Sequence, residues 1–86
     1  MKEEKIGLVA NYFSKIYVAA IDITDGTLSV GDTLHFVGHT TDFESTVQSI
    51  QIEHTSVTEA KKGDSVGIKV SERVRQGDIV YKKIAD

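Results

Sequence analysis

Three histidines, His35, His39 and His54, with Asp42 and Glu44 nearby, raise a metal centre first, because imidazole nitrogens and carboxylate oxygens are donors that zinc accepts. The spacing argues against it. A His-x-x-x-His pair puts both rings on one side only in a helix, whereas His35 falls in a strand pattern and His39 follows Gly38. They read as surface histidines, and no metal is expected. Phosphate chemistry fares no better. G-x-x-x-x-G-K-[ST] is absent, Lys62-Gly63 has that pair reversed, and the D-x-x-G string Asp64-Ser65-Val66-Gly67 spans a turn and a buried strand. Asp22 to Gly26, DITDG, lacks the acid spacing and distal Glu of a calcium loop. The hydroxyls of Thr40, Thr41, Ser45 and Thr46 have no base and orienting third group beside them, and Asp42 with Glu44 reads as a solvated pair. No catalytic residue and no cofactor are therefore expected, and the chain is not read as an enzyme.

The basic stretch carries more. Lys69, Arg73, Arg75 and Lys82, joined by Lys83, fall on two strands and their connecting loop, which could gather them along one edge. They are the candidate contacts for RNA or a protein partner, with Tyr12, Phe13 and Tyr17 as rings able to stack bases. Against this, cations on edges and loops also serve to block strand-to-strand aggregation, and such aromatics commonly belong to a core.

These residues must be held by strands. Three Gly-Asp pairs, Gly31-Asp32, Gly63-Asp64 and Gly77-Asp78, punctuate apolar stretches. Glycine reaches positive φ without a Cβ penalty while Asp turns its carboxylate back onto backbone N–H groups, so each pair marks a tight turn between strands. Period-two patterns predict strands over Lys5 to Phe13, with Ile6 and Leu8 sharing a face, and over Ile16 to Ile23, a nearly continuous apolar run expected to be covered on both sides. Leu34 and Phe36 are expected to point inward and His35 outward. From Phe43 to about Glu53 the pattern slips: Phe43, Ser45 and Val47 hold one phase, Ile50 and Ile52 the other. A β-bulge near Gln48-Ser49 restores the phase and bends the strand across a small barrel. His54 to Val57 reads as an extended link and Ala60 to Asp64 as a turn. Val66, Ile68 and Val70 alternate inward, with Gly67 clearing the opposite face. Ser71 to Gln76 reads as a polar, basic loop, and Ile79 to Lys83 as the strand that closes the barrel. No internal repeat is evident.

The chain has 86 residues, 40% of them hydrophobic and 27% charged, with neither Cys nor Pro. That length makes one domain, 1–86, with an ordered core of about 5–83. Without cysteine there is no disulfide frame, and with no signal-peptide pattern or membrane span the expected location is cytoplasmic. The net charge of −3 is unevenly spread. Residues 1–60 carry three Lys against nine acids, and residues 61–86 seven Lys or Arg against four. Overall acidity argues against a strong, indiscriminate nucleic-acid binder.

Taken in order, five segments resemble domain 2 of translational GTPases such as elongation factor Tu. They are G-x-L-x-V-G-D (Gly26 to Asp32), TLHFVG (Thr33 to Gly38), V-x-S-I (Val47 to Ile50), A-x-x-G-D-x-V-G-I-x-V (Ala60 to Val70) and G-D-x-V (Gly77 to Val80). The set spans most of the chain. It is most similar to small stand-alone translation elongation factor-like proteins, and similar barrels also end some collagenase-like peptidases. The resemblance implies an all-β fold, a small closed antiparallel barrel of six or seven strands. It further implies a non-catalytic binding module that contacts ribosome, tRNA or a translation-related protein. The alternative is an accessory barrel for a separate enzyme such as a collagenase-like peptidase. The GTPase domain has no counterpart in these residues, so no nucleotide is expected to bind this chain alone. The Arg-Gly-rich stretch usual in the first hairpin is replaced by NYFSKIYVAAI (Asn11 to Ile21), so no binding residue carries over.

Overall fold

A computed structural model describes residues 2–84, all of whose regular structure is strand; the domain limits at 1 and 86 fall outside that range. The ten strands are β1 Lys2–Phe13, β2 Val18–Ile23, β3 Thr27–Ser29, β4 Thr33–Val37, β5 Asp42–Thr46, β6 Ile50–Ile52, β7 Thr55–Val57, β8 Glu59–Lys61, β9 Ser65–Lys69 and β10 Ile79–Ile84. Strand pairing therefore extends beyond the expected 5–83 at both ends.

Seven of these strands form a ring of six positions. β1 pairs with β2, β2 with β9, and β9 with β6; on the other side β1 pairs with β10, β10 with β4, and β4 with β5. The last gap is closed covalently, because β5 and β6 are the two halves of one bent strand. The bend falls at Val47–Ser49, where the sequence slip predicts a bulge. Val47 and Ile50 are buried while Gln48 and Ser49 are exposed, so one extra residue returns the strand to phase. Beyond the ring, β7 forms a hairpin with β6, and β8 pairs with β3 in a separate two-stranded sheet. The expected link at 54–57 and turn at 60–64 thus contain strands, too short to show a period.

Two other differences have the same cause. Ile6 and Val9 are buried and Leu8 only half-buried, because β1 carries register shifts between Lys5 and Gly7 and between Val9 and Asn11. Each extra residue flips the following side chains. In β2, Ala19, Ile21 and Ile23 face the core while Asp22 is exposed, so that strand is covered fully on one side only, and Ile16 belongs to the preceding turn. Leu34 and Phe36 point inward as expected, and Phe36 stacks on Phe43 across the β4–β5 pair with ring centroids 5.1 Å apart. Val74, within the loop read as polar, is 1% exposed and joins the core cluster.

The Gly-Asp turns share one hydrogen-bond pattern. In each, the Asp N–H donates to the carbonyl three residues back, Ser29 (3.1 Å), Lys61 (3.0 Å) or Arg75 (3.1 Å), and the glycine between them has φ of 98°, 97° or 94°. This is the place where a type II turn requires positive φ. The Asp Oδ2 accepts from the N–H of that same residue at 2.8, 3.0 and 2.8 Å. Each turn then clasps one residue of another segment. The glycine N–H donates to its carbonyl and the Asp carbonyl accepts its N–H, for Val47, Ile23 and Val9 respectively, all at 2.8 or 2.9 Å. The three clasped residues are buried. An internal repeat thus exists at the level of hydrogen bonding.

Asp78, only 5% exposed, is the most enclosed of the three carboxylates. A Cβ added at Gly38 would collide with its Oδ1 and lie 2.6 Å from its Cγ. Gly38→Ala is expected to destabilise the barrel by about 1–3 kcal/mol through this overlap, and Asp78→Ala by about 1–2 kcal/mol through the lost cap. Urea denaturation of the double variant should show a loss smaller than the sum of the two, because the clash needs the carboxylate.

Candidate functional site

The four basic candidates do not lie in a single row. Lys69 ends β9 on its outward face, and exposed Arg73 and Arg75 flank the buried Val74 in the loop from β9 to β10. Lys82 sits within β10, where its Nζ donates to the Thr27 carbonyl at 2.9 Å. Lys83 pairs with Glu44 at 2.5 Å, which raises its ammonium pKa above the ordinary value.

The outer face of β4 holds the first histidine. His35 Nδ1 lies 2.9 Å from Glu3 Oε2 on β1, and Nε2 lies 2.5 Å from Asp42 Oδ1 on β5, so one ring links three strands. Among the described residues no three His, Asp or Glu side chains are placed to share an ion. Donation to Asp42, and then to Glu3, raises the His35 pKa above its ordinary 6.5, against partial desolvation. Asp42 was visible as a sequence neighbour. Glu3 was not, because only strand pairing brings it there.

One cavity lies on the outward face of β2, β9 and β6. Its volume is 370 Å³ and its floor is small and apolar: Ala20 faces Gly67, and Gly67 faces Gln51 across the next pair. A Cβ on Gly67 would lie 3.3 Å from Val18 Cγ1, so the glycine is what keeps the floor flat. One wall is the β1–β2 hairpin, where Phe13 is 47% and Ile16 60% exposed. The other is the Glu53–His54 turn between paired Ile52 and Thr55. That two-residue turn has φ of 49° and 66°, where a hairpin of this kind favours Asn-Gly. The third non-glycine residue with positive φ among those described is Tyr17, at 54°, on the opposite hairpin. Such residues cost about 1 kcal/mol or more apiece and gather at functional sites. Of the aromatics proposed for stacking, Phe13 and Tyr17 are exposed, and Tyr12 packs on the core. Ile16 was missed because its apolar run hid the turn.

The family model for elongation factor Tu domain 2 matches residues 17–81. The chain belongs to the elongation factor Tu domain 2 family. The match begins after Phe13 and Ile16 of the cleft wall. The curated relatives of this domain-2 barrel are not translation factors. An uncharacterized protease of Methanocaldococcus jannaschii is 45% identical over 90% of this chain, and a collagenase of Porphyromonas gingivalis is 36% identical over 90%. The chain spans 19% and 22% of their respective lengths. Among solved structures, the C-terminal domain of a Geobacillus thermoleovorans protein assigned to the U32 peptidases superposes with a TM-score of 0.86 at 21% identity, covering 94% of this chain and 93% of that one. Its selenomethionine variant gives 0.85 at 22%, covering 93% and 99%. At that identity the likeness concerns the fold.

Two outcomes are expected. The raised His35 pKa means the folded state holds its proton more tightly than the unfolded chain. The resulting stability is complete below pH 6.5 and is lost as pH rises through the folded-state value. Urea midpoints should therefore fall across neutral pH, and His35→Gln should flatten that part of the profile. Replacing Glu53-His54 by Asn-Gly should raise stability by about 1 kcal/mol, read from the same midpoints at fixed pH.

Proposed function

We propose that this domain-2 barrel is a non-catalytic accessory module for a U32-type peptidase, acting in the cytoplasm. It supplies a rigid binding surface, while the peptidase supplies the chemistry. The supporting observation is that the protease and the collagenase matched over 90% of this chain devote about a fifth of their length to the same segment. The residues fit a binding role. Large side chains such as Phe36, Ile21 and Leu34 fill the barrel interior, while the cleft outside is open and apolar-floored. Its lining lacks a nucleophile held by a base and an orienting partner.

Contact with ribosome or tRNA through Lys69, Arg73, Arg75 and Lys82 draws no added support. Lys82 is engaged by a backbone carbonyl, and the relatives named above are proteases. The two readings separate in one measurement. Tagged chain recovered from its own cells is expected to bring down a U32-type peptidase in equal yield with and without RNase. Recovery of ribosomal components or tRNA lost on RNase treatment would overturn the peptidase reading, as would peptide hydrolysis by the purified chain alone.

A further inference from the structure

The cleft face carries an ordered charge pattern. Along β2 the outward residues are Val18, Ala20 and Asp22, and their partners on β9 are Lys69, Gly67 and Ser65. Asp22 accepts a 2.7 Å hydrogen bond from Ser65 Oγ. On β6, Gln51 faces Gly67, so Glu53 continues toward the Asp22–Ser65 end. One end of the face is therefore basic, with Lys69 beside Val18, and the other acidic, with Asp22 and Glu53. Two residues either way from the Gly67–Gln51 pair puts Lys69 and Glu53 on the order of 13 Å apart along the strands. Between them lie Ala20 and Gly67, and the exposed apolar wall of Phe13 and Ile16 stands at the basic end, where Phe13 pairs with Val18.

We infer that this face is the self-complementary interface of a homodimer, with a second copy of the chain as its occupant. A two-fold axis between the faces, at right angles to β2 and β9, turns one copy over and reverses its strands. Each Lys69 then meets the partner copy's acidic end, and each acidic end meets Lys69, the reciprocity an isologous contact requires. The same rotation keeps the Phe13–Ile16 wall of each copy on the β1–β2 side of the sheet and carries it to the partner copy's Asp22 end. Gly67 and Ala20 allow the sheets to approach closely. A partner of unrelated chemistry has no need of this two-ended arrangement, whereas a second copy matches it by symmetry.

Sedimentation equilibrium of the purified chain tests the pairing, independently of any peptidase. A reversible dimer is expected. Because each interface contains the Lys69–Glu53 pair twice, Lys69→Glu and Glu53→Lys should each weaken association on the order of tenfold, and the double charge swap should restore it. Ile16→Asp should weaken it at least as much. Both Ile16 and Lys69 are exposed, so unchanged melting profiles will show these variants folded. A monomer up to about 1 mM would overturn the inference. So would a dimer indifferent to Ile16→Asp, or a double swap no better than either single change. Monomers whose Ile16→Asp variant alone loses peptidase capture would give the face to that enzyme and overturn the pairing while sparing the proposed function.

Discussion

The fold depends on a carboxylate folded back onto its own turn. In each Gly-Asp unit the aspartate satisfies the N–H of the residue three places back while its backbone N–H satisfies that residue's carbonyl. Glycine's positive φ leaves its N–H and the following carbonyl free to grip one residue on another segment. Val9, Ile23 and Val47 are held this way, at three separate places around the barrel. A small barrel buries little surface for its length, and it cannot leave backbone groups unpaired where its strands turn. The clasp meets that demand with two residues.

Closure follows from a second local device. One strand crosses from one side of the barrel to the other through Val47–Ser49, so the same segment pairs with β4 in its first half and β9 in its second. No free edge is left between those two strands. With the interior packed around Phe36, Ile21 and Leu34, whatever the protein binds must be bound outside. Under the proposed binding role, the barrel is a platform whose specificity lies in the turns and outward faces it displays. That placement suits a module shared between translation factors and proteases, because the outside can change while the clasps and core stay.

On the outside, strain and charge fall together. Tyr17, Glu53 and His54 hold a backbone conformation that glycine or asparagine would take more cheaply; Glu53 and His54 border the cleft with the flat floor, and Tyr17 lies between its lining residues Ile16 and Val18 in the chain. Side chains at these places keep the hairpin tips polar or aromatic where glycine would leave them bare. The His35 linkage on the far side has a different character. It ties β1, β4 and β5 together through two carboxylates of unequal exposure, Glu3 at 33% and Asp42 at 79%, so water screens the Asp42 side more heavily.

The all-β class, the Gly-Asp turns, the bulge near Gln48-Ser49 and the inward Leu34 and Phe36 are legible in the sequence, because each is a local matter of turn chemistry or period-two alternation. The bulges in β1, the three-residue strands β7 and β8 and the burial of Val74 are not, since a single inserted residue or a very short strand leaves no period to read. The cleft is legible only in part: Gly67 marks a cleared face, but nothing local says that Ala20 and Gln51 lie beside it. Pairing brings Glu3 to His35 and sends Lys82 to Thr27, over 32 and 55 residues respectively. Sequence alone determined where the chain turns and which side of most strands is apolar, because backbone sterics and alternation act within a few residues. Tertiary structure decided which outward residues share a face, because strand register is set by the whole ring closing on itself.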